Sequence, residues 1–239
     1  MVVSLESRMK QKQIVIVGAT GMVGGYALRF ALEDPAVGRV LVIGRRKVGI
    51  SHPRLSEVLI QDFADCTPAA QALVGQDAVI FCLGTYTGSV PDGELRKITV
   101  DYTVEFARVL HGSSPEAAFA FLSGSGADPT GRSRIAFARY KGEAERALLA
   151  AGFPHIYLFR PAYIYPVEPR NEPNLMYRVL RGIYPVFRAL FPNQVIRADD
   201  LGRAMLEVTV RGAGSYADRV ILENQDIRAV VARLHSAAD

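Results

Sequence analysis

"VIVGATGMVGGYALRF", residues 15–30, runs an apolar segment into a glycine-punctuated turn and on into a helix-forming stretch. Gly18, Gly21 and Gly24 stand three residues apart, as GxxGxxG. Such glycines carry meaning only between a strand and a helix, and both are present here. The first frees a tight turn from Cβ clashes, the second admits close backbone approach to a pyrophosphate, and the third lets helix pack on strand. The unpaired N–H groups and positive dipole end at the helix start then face the phosphates. Thr20, Met22 and Val23 share the turn and the first helical positions, and are read with the glycines as dinucleotide contacts.

Outward from this turn, short apolar runs alternate with segments of helical period, the pattern of a parallel sheet covered on both faces. Strands are expected at 13–17, 39–43, 57–61, 77–83, 118–123 and 155–161, with a late one at 219–224. Helices are expected through Asp34, from Asp92 to Leu110, up to Ala150, over 198–210 and from Gln225 to Leu234. Leu95, Ile98, Tyr102, Phe106 and Val109 form one helical stripe. Asp199 or Asp200 offers an N-cap to the helix near residue 198. The fold class is therefore α/β, a doubly wound parallel sheet of Rossmann type. It reads as one domain over 1–239, with a dinucleotide-binding core at 13–165 and lid and C-terminal elements at 166–239.

The second strand selects among dinucleotides. An acidic side chain near its end normally holds the ribose 2′-hydroxyl of NAD. Here the chain reads "VIGRRK" (42–47), with Arg45 and Arg46 and no carboxylate. Guanidinium groups give planar, charge-assisted donors to a 2′-phosphate, so NADP(H) is preferred, with NAD(H) still admissible. Asp62, just past the third strand, is placed to accept from the adenine amino group or to cap a surface turn.

Bulk properties exclude several classes. A composition 49% hydrophobic and 22% charged is that of a globular chain, not a disordered one. The net charge of +4 is too small an excess to argue for nucleic acid. The four histidines are scattered, and Cys66 and Cys82 make no ligand spacing, so no metal is expected. Cys82, inside an apolar run, reads as a packed small hydrophobe. No apolar run approaches the ~20 residues of a membrane helix. "MVVSLESRMKQKQ" (1–13) lacks the apolar region of a secretory signal. A cytoplasmic location is the expectation.

The stretches "GATGMVG" (18–24), "VIGRR" (42–46), "CLGT" (82–85), "LSGSGAD" (122–128), "YKGEAE" (140–145) and "LFRPAYIY" (158–165) are specific in their order and spacing together. In them the chain resembles the short-chain dehydrogenase/reductase superfamily, in its atypical NAD(P)-binding branch near the Tat-interacting-oxidoreductase-like proteins. The resemblance spans residues 13–165 and, more loosely, the C-terminal part. It implies cofactor contacts at Leu83, Gly84 and Thr85, and backbone contacts to the nicotinamide carboxamide at Pro161, Ala162 and Tyr163. It also implies a substrate-binding hydroxyl at Ser123 or Ser125, with Ser125 slightly favoured. All of these sit at carboxyl ends of parallel strands, where open α/β sheets bind ligands.

In active members of that superfamily a Tyr hydroxyl moves the proton, and a Lys four residues on binds the ribose and lowers the Tyr pKa. "FARYK" (137–141) keeps Lys141 but has Phe137 one helical turn before it. Tyr140, adjacent to Lys141, points about 100° away on a helix. Three readings follow: dinucleotide binding without chemistry, an altered site using Tyr163, Tyr86 or a water as acid, or a helix distortion that brings Tyr140 inward. The leading function is an NADP-dependent oxidoreductase on an unidentified carbonyl or alcohol, with Lys141, Ser125, Ser123 and Tyr163 as catalytic candidates. Its rival is a silent NADP(H)-binding redox sensor or assembly protein. Segment 175–191 sets Arg178, Arg181 and Arg188 among apolar residues, broken by Gly182 and Pro185. It reads as a substrate lid, a homodimer contact or a peripheral membrane surface.

Overall fold

The computed structural model of the protein describes residues 11–85, 88–168, 190–212 and 220–236. Tyr86 and most of the expected lid, 175–189, lie outside the described residues.

Seven strands form one parallel sheet: β1 (Lys12–Val17), β2 (Val37–Gly44), β3 (Leu55–Leu59), β4 (Ala78–Phe81), β5 (Ala118–Leu122), β6 (Ile156–Arg160) and β9 (Ile221–Glu223). Their spatial order is β3-β2-β1-β4-β5-β6-β9, so the winding reverses between β1 and β4. Because both faces are covered, the central strands read as unbroken apolar runs, and alternate residues enter opposite cores. Ile14 and Ile16 of β1 pack toward α1 (Met22–Glu33), α5 (Ala198–Arg211) and α6 (Asn224–Ser236). Val15 and Val17 face the other way, toward α3 (Tyr102–Ser113) and α4 (Ala136–Leu149), among Phe81, Phe106, Phe119 and Phe121.

Three features differ from the sequence expectation. The single helix expected from Asp92 is interrupted: α2 (Asp92–Arg96) passes into a π-helical turn, Lys97–Asp101, before α3. The wider turn rotates the buried face, so Thr99, Val100 and Thr103 go inside while Ile98 and Tyr102 stay half-buried. Neither Asp199 nor Asp200 caps α5. Arg197 is the N-cap residue, and both carboxylates lie in the first turn, where Asp199 accepts from Arg197 Nη2 at 2.7 Å. That arrangement still sets negative charge against the positive helix end. Finally, β7 (Tyr163–Tyr165) and β8 (Val195–Arg197) form a separate parallel pair beyond the end of β6.

Among the described residues no helix is long and apolar enough to cross a membrane. Cys82 is half-buried with its sulfur 4.0 Å from Met205 Sδ, and burial pushes its thiol up to about 12.

Helix α4 meets the loop after β5 at bare backbone. A Cβ on Gly142 would run into the Asp128 carbonyl and lie 2.5 Å from Pro129 N. Gly142→Ala is expected to lower stability by about 1–3 kcal/mol, the usual cost of overpacking a tight contact. Urea denaturation would show it as a lower midpoint at unchanged slope.

Candidate functional site

The cleft at the β1/β4 reversal is lined by Gly18, Ala19, Thr20, Val42, Gly44, Arg45, Arg46, Phe63 and Leu83. Its floor is the glycine turn. Gly18 has φ +83°, and a Cβ there would lie 2.7 Å from both the carbon and oxygen of the Cys82 carbonyl. The Gly21 N–H donates to the Gly18 carbonyl at 2.8 Å, closing the turn. A Cβ on Gly24 would collide with that same carbonyl, so α1 begins directly against the strand exit. No side chain caps the α1 N-terminus at Gly21, and its first turn holds no acidic residue. Backbone donors there are left for an anion.

Arg45 and Arg46 are exposed at the end of β2 and line the same cleft. Glu57, the acidic residue nearest in β3, accepts from the Val48 N–H at 2.8 Å instead. Asp62 does not line the cleft. Its carboxylate accepts from the Ala64 N–H at 3.0 Å and meets Lys97 Nζ at 3.4 Å, and a Tyr102 hydrogen bond heads the causes that hold it below the usual carboxylate range. Of its two expected roles, the turn cap is the one the geometry shows. The residue beside it, Phe63, supplies the apolar wall, and only its place right after β3 hinted at this. Leu83 lines the cleft, Gly84 is exposed, and Thr85 Oγ1 lies 2.9 Å from Ser89 Oγ.

At the other end, the two serines part company. Ser123 is buried, and its hydroxyl donates to Glu145 Oε1 at 2.5 Å, pointing into the protein rather than toward a substrate. Ser125 is exposed, with its N–H on the Pro161 carbonyl at 2.8 Å. Pro161 is buried, and the Ala162 N–H, expected to be available to a carboxamide, donates to Asn224 Oδ1 at 3.1 Å. Asn224 in turn donates to the carbonyls of Asn193 and Val195, tying β6, α6 and β8 together. No motif announced it. Tyr163 opens β7, half-buried, with its hydroxyl enclosed.

FARYK disperses. Tyr140 turns outward and donates to Asp92 Oδ2 at 2.6 Å, a bond that raises its pKa. No helix distortion brings it inward, since α4 is regular from Ala136 to Leu149. Phe137 lays its ring on Gly124, the residue between the two serines. Lys141 is buried, with Nζ donating to the Leu122 carbonyl at 2.7 Å and 4.5 Å from the centre of the Phe121 ring. Burial pushes its pKa down to about 8, partly offset by the negative charge of Glu145. One turn further, Glu145 is 1% exposed and takes a two-pronged hydrogen bond from Arg160, at 2.9 Å and 2.6 Å. Arg160 also reaches Glu223 at 3.2 Å, and the Glu145 bond raises its pKa.

The strand order and the glycine turn at its reversal define a Rossmann-type fold of the short-chain dehydrogenase/reductase kind. The Bordetella bronchiseptica enzyme WbmH, solved in complex with NAD+, matches with a TM-score of 0.63 over 84% of this chain and 73% of its own, at 18% identity. At that identity the likeness is one of fold. Sequence relatives are nearer. The Aspergillus clavatus protein fmp52 is 30% identical over 166 residues, covering 67% of this chain and 70% of that one. HTATIP2 of Rattus norvegicus is 28% identical over 168 residues, 70% and 68% of the two chains. This chain belongs to their family, within the atypical branch of the superfamily. No protein-family model matches it. The fmp52 relatives are named as mitochondrial proteins, which overturns the plain cytoplasmic location expected from the sequence.

Lys141 gives a pH signature. Its folded value of about 8 lies below the ordinary 10.5 that it regains on unfolding. Below pH 8 both states carry the charge, and the folded state bears the whole burial cost. Between about 8 and 10.5 the folded state loses its proton first, so stability rises with pH in that window. Lys141→Met is expected to be more stable than wild type at pH 7, by a difference that shrinks steadily toward pH 10. Urea titrations of both proteins at several pH values would show a constant difference instead if the lysine titrates normally.

Proposed function

We propose that this protein binds NADP(H) and holds it, with hydride chemistry slow or absent. The observation that carries the reading is the cleft itself, a glycine turn with no room for side chains leading to an uncapped helix start, with two guanidinium groups at its far rim. In this reading the α1 N–H groups hold the pyrophosphate and Arg45 and Arg46 the 2′-phosphate. Phe63 and Leu83 flank the adenosine, and the nicotinamide end lies toward Gly84, Ser125 and Lys141. The bound dinucleotide would supply a hydride there. The superfamily likeness to an NAD+-bound enzyme supports a nicotinamide cofactor, and the basic rim supports its phosphorylated form.

Against rapid turnover stands the absence of a side-chain hydroxyl on the inner face of α4. Phe137 has no hydroxyl, Tyr140 is engaged by Asp92, and the Ser123 hydroxyl is engaged by Glu145. A second reading, a carbonyl or alcohol oxidoreductase with an unusual acid, draws on two observations. Lys141, near 8, exchanges a proton close to neutral pH, and Ser125 keeps an exposed hydroxyl at the same strand end.

Titration of the purified protein with NADPH and NADH tests the first claim. NADPH is expected to bind with Kd on the order of 1 μM and NADH at least tenfold more weakly, about 1.4 kcal/mol. Arg45→Ala/Arg46→Ala should remove most of that difference by weakening NADPH alone. Consumption of NADPH against a panel of carbonyls should stay near background, and brisk turnover would establish the second reading. If neither nucleotide binds, both readings fail.

A further inference from the structure

The place one helical turn before Lys141 is filled, and what fills it depends on a second residue. A Cβ built on Gly124 would lie 2.5 Å from Cζ and 2.9 Å from Cε1 of Phe137. Real Cβ atoms do not approach carbon that closely, so a side chain at 124 requires the half-buried Phe137 ring to move. Gly124 has no positive φ, so the backbone turn does not require glycine. The ring does. Both neighbours of Gly124 have other engagements: Ser123 turns its hydroxyl inward to Glu145, and Ser125 is fixed through its N–H to the Pro161 carbonyl. Lys141 reaches past them to the Leu122 carbonyl. The backbone just beyond β5 thus meets, in sequence, an amine, a buried serine and an aromatic ring.

We propose that Gly124 and Phe137 are a matched pair that walls off the end of β5 with an apolar surface and so decides which ligands the site accepts. A hydroxyl-bearing side chain at 124 is barred by the ring. A hydroxyl added to the ring grows from Cζ, the ring atom nearest the place a Gly124 side chain would take. The wall faces the region where the proposed nicotinamide end lies, so this inference rests on the NADP(H) reading for its functional meaning. A ligand carbonyl seated against the ring finds no donor on it, and the dinucleotide is held rather than consumed. Gly124 and Phe137 act as positioning residues.

The pair makes a non-additive prediction that is read without nucleotide. Gly124→Ala is expected to lower the Tm of the unliganded protein by about 4 °C or more, as an overpacking substitution in a chain of this size. In a Phe137→Ala background, where the ring is gone, the same substitution should change Tm by about 1 °C or less. Equal losses in both backgrounds would overturn the pairing. A functional arm reads what a purely structural contact would not alter. Phe137→Ala combined with Gly124→Ser takes the ring away and sets a hydroxyl in its place. This double variant is expected to raise NADPH consumption against the carbonyl panel by about tenfold or more, part of the 10²-fold or more that a working general acid contributes. The absence of any rise would overturn the wall. A rise of about 100-fold on Phe137→Tyr would overturn the wall, since it would mean the ring tip already faces substrate. Should NADPH fail to bind at all, the NADP(H) reading falls while the Tm cycle still decides whether the pair exists.

Discussion

The approach of Gly18 to the Cys82 carbonyl sets the geometry from which the remainder of the cleft follows. β1 lies inside the sheet, hydrogen-bonded to β2 on one side and β4 on the other, and its exit has to pass over the end of β4. It does so with φ +83° and no space for a side chain. The same economy of atoms continues along α1. Gly24 sits against the Gly18 carbonyl, which starts the helix at the strand exit and aims its free N–H groups over the cleft. On the outer side of α1, a Cβ at Gly202 of α5 would come within 2.9 Å of Tyr26 Cβ and 3.0 Å of Ala27 N, so the covering helix also packs at backbone distance. Site, helix and cover are one stack. A side chain anywhere in it displaces the layers on both sides.

The opposite end of the cleft is held by charge. Glu145 is nearly inaccessible, yet its carboxylate is accounted for by Arg160 and the Ser123 hydroxyl. Arg160 extends the link to Glu223 of β9, so four elements, α4, β5, β6 and β9, meet at one ion cluster. A buried pair of this kind is a weak source of net stability, because desolvation offsets most of the attraction. Its effect is positional: with either partner gone the other is a buried, unmatched charge. The cluster therefore fixes how α4 lies on the strand ends, and with it where Phe137 and Lys141 project.

What the sequence made legible was whatever rests on periodicity and local turn chemistry. The five interior strands, β1, β2, β4, β5 and β6, are apolar runs because both faces are covered, and the GxxGxxG turn announces itself through residues 15–30. The π-turn at 97–101 was hidden because its effect is a rotation of the buried face, and both registers, Ile98 with Tyr102 or Val100 with Thr103, are plausible stripes in the sequence. β7 and β8 were hidden for another reason: each is three residues long, and they pair across some thirty positions of chain. The choice between Ser123 and Ser125 depends on where a single carboxylate, Glu145, sits in space. No one-dimensional pattern contains that. Asn224, which takes up the Ala162 N–H, belongs to the same class of long-range facts.

Lys141 is the residue that stability alone does not explain. Its amine lies buried on one backbone carbonyl, and burial pushes its pKa from 10.5 to about 8. A displacement of that size corresponds to a few kcal/mol of burial cost at neutral pH. Nor does the lysine serve as counter-ion to Glu145, whose charge Arg160 already matches with two hydrogen bonds. A methionine would fill the space beside Phe121 without the penalty. Among the described residues the amine answers only the Leu122 carbonyl and the Phe121 ring face, and it pairs with no buried charge of its own. One turn earlier stands the Phe137 ring, which carries no hydroxyl. In the NADP(H) reading proposed above, the amine meets the oxygen atoms of the bound dinucleotide.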